Sequence, residues 1–227
     1  MNNDSKLIIF DLDGTLVDSQ VFIIDAIIEA FDKEGLVRPK RKQILTSIGL
    51  SLSEAFTRLN NSLTATQKKR LVKSFKECYK NFPKEKVISP LYPSTHDFLM
   101  NLTKYKNLSM AIATGKGRFG LFQILRVHNI ESHFVDFQTS DNNPSKPNPT
   151  MILKILKNLK IDSKNVLMVG DTDFDIIMAH QANIRSIAVL WGYQSKSQLV
   201  SARPTRLAES FLHLEAQIIE LLFGGRI

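Results

Sequence analysis

The segment Leu7–Thr15 (LIIFDLDGT) constrains the fold of this chain more than any other part of the sequence. It begins with four consecutive apolar residues, a pattern typical of a strand buried on both faces of a parallel sheet. Asp11 and Asp13 follow directly, and Gly14 allows the chain to turn sharply away from the strand end. Because open α/β sheets carry their chemistry at the carboxyl ends of their strands, we expect both carboxylates to lie in a functional site.

Strand-like apolar segments recur along the rest of the chain and alternate with helical patterns. After the first strand, we predict strands over residues 108–114, 134–137, 166–169 and 186–191. This alternation predicts an α/β fold, a doubly wound, Rossmann-like parallel sheet. Between residues 16 and 83 the patterns are helical, without strand-like alternation. We therefore predict a core built from residues 1–15 and 84–227, with residues 16–83 inserted as an all-helical domain.

The helical insertion also carries most of the positive charge. The net charge is +8, and the segment from Arg38 to Lys86 holds 13 Lys and Arg residues against 3 Asp and Glu residues. Such a patch can attract anionic substrates or bind nucleic acid. The basic residues lack the interleaved aromatic residues of a single-strand binding surface, and no zinc-finger spacing occurs. The sequence therefore argues against a nucleic-acid partner.

Cysteine usage and hydropathy indicate where such a chain works. Cys78 is the only cysteine, so no disulfide can form within one chain, which suits a reducing compartment. No apolar run approaches the roughly 18–20 residues that span a bilayer, and no signal-peptide pattern precedes the first strand. We expect a cytoplasmic protein without a membrane partner. A monomer is the expected state, with a weak homodimer as the alternative.

Four short polar motifs follow the predicted strands or lie in nearby loops. They are Asp11-x-Asp13, Thr114-Gly115-Lys116, Lys146-Pro147 and Gly170-Asp171-Thr172-Asp173-Phe174-Asp175. A parallel sheet would bring them to one edge, although sequence spacing alone would not. Grouped carboxylates suit Mg²⁺, while a hydroxyl, backbone N–H groups and a lysine suit phosphoryl oxygens. A carboxylate near the metal can form an aspartyl-phosphate, and a second one can move protons.

Each motif alone has a simpler structural interpretation. The Asp-x-Asp-Gly pattern is also typical of a turn, and Thr172-x-x-Asp175 is also typical of a helix capping box. The alternating aspartates from Asp171 to Asp175 resemble a calcium-binding EF-hand loop. Ile176 replaces the glycine and Ala182 replaces the glutamate that this loop requires, so we reject it. The four motifs together favour a catalytic site.

Taken in order, the four motifs resemble those of the haloacid dehalogenase-like hydrolase superfamily. The resemblance implies that Asp11 is the nucleophile that takes up a phosphoryl group. It implies that Asp13 is the general acid and base, with its backbone carbonyl on Mg²⁺. Asp171 would be a further Mg²⁺ ligand, and Asp175 would support it. The metal set implied is therefore Asp11, Asp13, Asp171 and Asp175.

The same resemblance assigns the remaining motif residues. Thr114 and the N–H that follows it, that of Gly115, would bind phosphate, and Lys116 is a further candidate contact for the substrate. Lys146 would orient the nucleophile and neutralise charge during catalysis. The helical insertion resembles the mobile cap of this family, which closes over the site.

Within the superfamily the chain is most similar to the phosphoglycolate phosphatase-type branch. The similar segments are the continuation of the first motif to Asp18-Ser19 and the stretch Ile48–Leu52. In relatives this cap loop reaches toward the leaving group, so Arg41, Lys42 and Gly49 become candidate substrate contacts. Gly115 stands where the family commonly has asparagine. The implied activity is Mg²⁺-dependent hydrolysis of a small phosphorylated metabolite.

Several alternatives remain open on the sequence. A phosphomutase or a pyrophosphatase of the same superfamily would share the core residues. A dehalogenase would lack the second aspartate, so Asp13 argues against it. A non-catalytic binding protein could use the basic cap to engage a partner, but the complete set of motifs favours an enzyme.

Overall fold

A computed structural model describes residues 5–225 of the chain. The outer limits of the predicted core, at residues 1 and 227, lie outside the described residues. The first four residues, on which the prediction about a signal peptide partly rests, also lie outside them. None of the helices in residues 5–225 is long and apolar enough to cross a membrane.

The predicted α/β architecture is confirmed. The strands are β1 Lys6–Phe10, β2 Leu108–Thr114, β3 Asp136–Thr139, β4 Val166–Gly170, β5 Arg185–Val189 and β6 Arg206–Ala208. The helices are α1 Gln20–Lys33, α2 Arg41–Leu45, α3 Leu52–Leu59, α4 Ala65–Asn81, α5 Lys84–Val87, α6 Thr95–Leu102, α7 Arg118–Val127, α8 Thr150–Leu159, α9 Asp173–Gln181, α10 Lys196–Ser201 and α11 Phe211–Phe223.

All strand pairs in the six-stranded sheet are parallel, in the order β3-β2-β1-β4-β5-β6. Strands β2 and β3 lie on one side of β1, and the later strands β4, β5 and β6 lie on its other side. The strand order therefore reverses beside β1, where open α/β sheets bind their ligands. Phe10 pairs with Ile112 on one side and Val169 on the other, so the ends of three strands meet there.

The sheet is buried on both faces, which explains its continuous apolar strands. Ile8 and Phe10 belong to the hydrophobic cluster on one face, together with side chains of α6, α7 and α11. Leu7 and Ile9 point to the opposite face and pack with side chains of α8 and α9. Alternate residues of one strand thus serve two separate cores.

Residues 20–87, the helical segment, have a hydrophobic cluster of their own. Its buried side chains run from Phe22 to Val87 and come from α1 to α5. Leu16 and Val17 instead belong to the core of the sheet. The packing therefore changes between Val17 and Phe22 and again after Val87, while the division into a core and an inserted domain over residues 16–83 stays a prediction.

The structure departs from the predicted elements at the edges of the sheet. Strand β3 lies two residues later than the predicted strand 134–137. The sequence did not predict α5, α10 or β6, which have four, six and three residues. Elements this short contain too few residues for a hydrophobic period to be recognised.

Candidate active site

Three aspartates and one lysine form a buried cluster at the carboxyl edge of the sheet. Asp11 follows β1, Asp171 follows β4, and Asp175 lies in the first turn of α9. One carboxylate oxygen of each lies within 4.8 Å of the others. Lys146 Nζ is 2.8 Å from Asp11 Oδ1 and 2.6 Å from Asp175 Oδ1. All four side chains are at most 1% exposed.

Asp11 differs from Asp171 and Asp175 in its partners. Lys146 Nζ donates a hydrogen bond to Asp175 Oδ1 and forms an ion pair with Asp11 Oδ1 at 2.8 Å. Apart from this ion pair, the Asp11 oxygens have no hydrogen-bond partner among the described residues. Buried carboxylate oxygens without donors are costly, so they are expected to meet a cation or a reacting group.

The electrostatics of the cluster point the same way. Burial, opposed by Lys146 and reinforced by Asp175, raises the pKa of Asp11 to about 7. Burial also raises the pKa of Asp171 well above its usual range, and the charge of Asp11 adds to this effect. Burial alone would lower the pKa of Lys146, but its two carboxylate partners raise it. One ammonium faces three carboxylates, so the ionised cluster has an excess of negative charge.

Neighbouring groups fix the orientation of Asp171 and Asp175. Thr15 Oγ1 donates to Asp171 Oδ1 at 3.2 Å, and the backbone N–H of Tyr193 donates to Asp171 Oδ2 at 2.8 Å. Asp175 Oδ2 accepts from the N–H of Thr172 at 3.1 Å and from its hydroxyl at 2.7 Å. The capping interaction predicted for Thr172 and Asp175 is therefore present, and it leaves Asp175 Oδ1 for Lys146.

These residues fit a hard divalent cation. Mg²⁺ prefers oxygen ligands and is typically bound by one or two carboxylates together with water and phosphate. Asp11, Asp171 and Asp175 provide converging carboxylate oxygens, and the excess negative charge favours a cation. The predicted metal ligands are thus brought together, except that the carboxylate of Asp13 lies outside this group.

Asp13 belongs to a second, adjacent polar group. Its Oδ1 accepts a short hydrogen bond from the Ser19 hydroxyl and lies 3.1 Å from Lys116 Nζ. Lys116 Nζ also donates to the hydroxyl of Tyr79, at 3.4 Å. Tyr79 comes from α4 in the helical segment, and its ring lies 5.8 Å from that of Phe119 in α7. The helical segment therefore closes directly over the second aspartate of the first motif.

Thr114, Gly115 and Gly49 meet where β2 ends below the helical segment. Thr114 is buried, and its hydroxyl accepts the N–H of Lys116 at 3.1 Å. A methyl group on Gly115 would come within 2.6 Å of the carbonyl oxygen of Leu50 and closer still to that of Gly49. Since both obstacles are backbone atoms, only a residue without a side chain permits this approach.

We expect Gly115→Ala to prevent full closure of the helical segment. The added methyl group would push back the backbone at Gly49, so KM for any turned-over substrate should rise by about tenfold or more, as expected for misplaced substrate contacts. Gly117→Ala is the matched control, because a methyl group there meets only the end of the Asp141 side chain, at 3.2 Å. Steady-state kinetics of both variants test this. Equal effects would show that the contact at Gly115 has no special importance.

Arg41 and Lys42 are the predicted site residues that the structure leaves apart from the others. Both lie at the start of α2 and are exposed, and Arg41 donates a hydrogen bond to the side chain of the first residue of α1. They do not line the cavity between the helical segment and the sheet, whereas Gly49, Gly115 and Lys116 do. Their role in substrate binding stays a prediction from the resemblance.

Three residues that support the site are not predicted from the sequence. Ser19 and Tyr79 contact the Asp13 group, and Tyr193 contributes both a backbone donor to Asp171 and a hydroxyl that accepts the N–H of Ser19 at 2.8 Å. Tyr193 follows the carboxyl end of β5, so its position after a strand was a usable signal. Tyr79 lies within an amphipathic helix, and no sequence signal distinguishes it from a packing residue.

Comparison with known proteins agrees with the geometry of the site. Residues 8–189 match the family described as haloacid dehalogenase-like hydrolase. The chain is 31% identical over 211 residues to a probable phosphatase, IndB, of Dickeya dadantii, and the match covers 90% of each chain. It is 29% identical to a phosphoglycolate phosphatase of Vibrio parahaemolyticus, covering 93% of this chain and 95% of that one.

A solved structure shares the whole architecture. It is a haloacid dehalogenase-like hydrolase from Streptococcus pneumoniae, with a TM-score of 0.81 and 26% identity, and the match covers 96% of this chain and 99% of that one. The family match runs from the middle of β1 to the end of β5 and includes all four polar motifs. This chain is therefore a hydrolase that belongs to the haloacid dehalogenase-like family.

Proposed function

We propose that this hydrolase is a Mg²⁺-dependent phosphatase of small phosphate monoesters and that it works through an aspartyl-phosphate on Asp11. The observation that carries the proposal is the buried cluster of Asp11, Asp171 and Asp175, in which the ammonium group of Lys146 contacts only Asp11 and Asp175 among the three. The cluster contains three carboxylates and one ammonium group, so its excess negative charge favours a cation. Apart from the ion pair with Lys146, the Asp11 oxygens have no hydrogen-bond partner among the described residues. The names of the relatives support the choice of phosphate esters.

In the first step, a carboxylate oxygen of Asp11 attacks phosphorus and the bond from phosphorus to the ester oxygen breaks. The proton of a protonated Asp13 passes to the leaving oxygen, so an alcohol departs and an acyl phosphate remains on Asp11. In the second step, Asp13 removes a proton from water, whose oxygen attacks phosphorus; the bond from phosphorus to the Asp11 oxygen breaks, which frees phosphate and restores the Asp11 carboxylate. The ion pair with Lys116 is formed by the carboxylate form of Asp13, the form that this second step needs.

Other residues would hold the phosphoryl group and its charge. Asp11, Asp171, Asp175 and the backbone carbonyl of Asp13 would hold Mg²⁺, which supplies Lewis-acid stabilisation of phosphoryl oxygens when bound. The hydroxyl of Thr114 and the N–H of Gly115 would bind the same oxygens. Lys146 would keep Asp11 oriented and offset negative charge in the transition state.

The test is phosphate release from a panel of esters, with and without Mg²⁺. The panel holds 2-phosphoglycolate, which the resemblance implies, together with pyrophosphate, sugar phosphates and nucleoside monophosphates. Mg²⁺-dependent release from a monoester supports the proposal. Formation of an isomerised sugar phosphate would indicate a phosphomutase, and preferred release from pyrophosphate would indicate a pyrophosphatase. Absence of release throughout would contradict the proposal.

Metal binding should also be visible in the stability of the protein. The folded state raises the pKa of Asp11 from 3.8 to about 7, so between these values it binds more protons than the unfolded state. The contribution of Asp11 to the free energy of unfolding therefore falls as pH rises from about 4 to 7. In EDTA-treated protein, thermal unfolding at pH 4.5 and pH 7.5 should show this fall, and Asp11→Asn should reduce it.

Magnesium should reverse part of this loss, because binding to the folded state stabilises it by mass action. We expect added Mg²⁺ to raise Tm more at pH 7.5 than at pH 4.5, since only ionised carboxylates bind the cation. A Tm that does not respond to Mg²⁺ at pH 7.5 would contradict the proposed metal site.

A further inference from the structure

A cavity lies between the helical segment and the sheet, beside Asp13. Its volume is about 370 Å³, and Asp13 and Lys116 form part of its wall. Asp11, Asp171 and Asp175 do not line it. The cavity therefore begins at the proposed acid, on the side where the leaving oxygen would take up its proton. This inference rests on the proposed function and concerns the chemistry of the alcohol that leaves.

The wall of the cavity is mainly apolar. Ile23 and Ile27 come from α1, Ile48 and Leu52 from around α3, and Phe75 from α4. Phe119 of α7 lies opposite them on the core side, and its side chain is exposed at the edge. Ligand sites of this kind gain affinity from apolar contact and take their specificity from a few polar groups.

The buried polar groups in the wall already have partners. Lys116 is paired with Asp13, and its other contact is the hydroxyl of Tyr79. The hydroxyl of Ser47 donates to the backbone carbonyl of Ile44 at 2.7 Å. While Asp13 is a carboxylate it neutralises Lys116, so a leaving group with its own carboxylate or phosphate would compete with Asp13 for that ammonium group in a buried site.

The charged groups at the edge of the cavity do not change this conclusion. Lys76 is 3.8 Å from Asp141, and Asp141 also accepts the backbone N–H of Arg118 at 2.6 Å. Lys80 is exposed to solvent near the end of α4. These lysines can attract an anionic substrate from solution, but an ion pair in contact with water contributes little to selective binding.

We infer that the cavity binds the uncharged, largely apolar alcohol portion of a phosphate monoester. The phosphoryl group would lie at Asp11, the ester oxygen at Asp13, and the carbon skeleton among the isoleucine and phenylalanine side chains. The preferred substrate is then a monoester of a compact aliphatic or aromatic alcohol, not 2-phosphoglycolate or pyrophosphate, whose leaving groups are anions.

The experiment is a chain-length series of primary alkyl phosphates, assayed as phosphate release in the presence of Mg²⁺. Ethyl and n-butyl phosphate have leaving groups of similar chemistry. The ratio of their kcat/KM values therefore measures the contact of the longer chain with the cavity. Each buried methylene is worth about fourfold in kcat/KM, so n-butyl phosphate should exceed ethyl phosphate by about 15-fold. It should also exceed 2-phosphoglycolate.

Two variants locate the effect in the cavity. Leu52 is half-buried in its wall, so Leu52→Gln should reduce the ratio of butyl to ethyl kcat/KM by about fivefold or more, through lost apolar contact. Leu59→Gln is the matched control on the same helix, because Leu59 is also half-buried but does not line the cavity. This control should leave the ratio unchanged.

Other outcomes would overturn the inference. Equal kcat/KM for the two alkyl phosphates would show that the cavity does not bind the alcohol. A higher kcat/KM for 2-phosphoglycolate than for n-butyl phosphate would also overturn it. If Lys80→Met removed that preference, an exposed lysine would be selecting an anionic leaving group. Either result leaves the phosphatase proposal standing, whereas failure to release phosphate from every ester would contradict that proposal itself.

Discussion

Asp11→Asn should abolish phosphate release while the protein remains folded. Asparagine has the same shape but cannot supply a nucleophilic carboxylate, so kcat should fall by about a thousandfold or more, as when other catalytic nucleophiles are removed. The substitution also removes one of three clustered, buried carboxylates, two of which contact the single ammonium group of Lys146. We therefore expect the Tm of the metal-free variant to equal or exceed that of the unsubstituted protein.

The measurements are steady-state phosphate release and thermal unfolding of the same preparations. Asp32→Asn is the control, because Asp32 lies on α1 and contacts Arg38 at the surface. Substantial residual turnover in Asp11→Asn, with Asp32→Asn fully active, would show that another residue receives the phosphoryl group. A lower Tm for Asp11→Asn would contradict the charge argument.

The second large effect is expected for Lys146→Met. Methionine has a similar length but no charge, so Asp11 and Asp175 would lose their shared ammonium partner. Removing one member of a buried ion pair costs about 3–5 kcal/mol in the free energy of unfolding. Phosphate release should also fall strongly, since Asp11 would lose the group that orients it.

Denaturant unfolding at pH 7.5 measures this cost. Lys154→Met is the matched control, because the Lys154 ammonium is exposed and donates only to the carbonyl of Asn142, at 2.9 Å. That change should stay within about 0.5 kcal/mol, as is usual at the surface. The double variant with Asp11→Asn should recover part of the stability lost in Lys146→Met. Loss below about 1 kcal/mol for Lys146→Met would contradict the importance of the ion pairs.

Much of this architecture is encoded locally and could be predicted from sequence. Four apolar residues before Asp11 suffice to predict a buried parallel strand, and the same pattern before Asp171 predicts another. Both predictions are confirmed, because β1 and β4 are neighbours and are fully buried where predicted. Once two such strands are parallel, the carboxylates after them must lie at one edge of the sheet.

The rest depends on contacts that no local pattern encodes. Tyr79 reaches Lys116 only because α4 packs against α1 and because α7 has a glycine, Gly120, beneath the tyrosine hydroxyl. The three-residue strand β6 forms by pairing with the free edge of β5, and its sequence alone does not predict a strand. The character of the cavity likewise emerges only when side chains from separate elements are brought together.

The most direct test of this account is chemical trapping of the proposed intermediate during turnover. Borohydride reduces an acyl phosphate of aspartate to homoserine, and mass spectrometry of the peptide containing Asp11 and Asp13 locates the change. We expect conversion at Asp11 in the presence of substrate and Mg²⁺, and none without substrate. Conversion at Asp13, or steady phosphate release without conversion at either position, would contradict nucleophilic catalysis by Asp11.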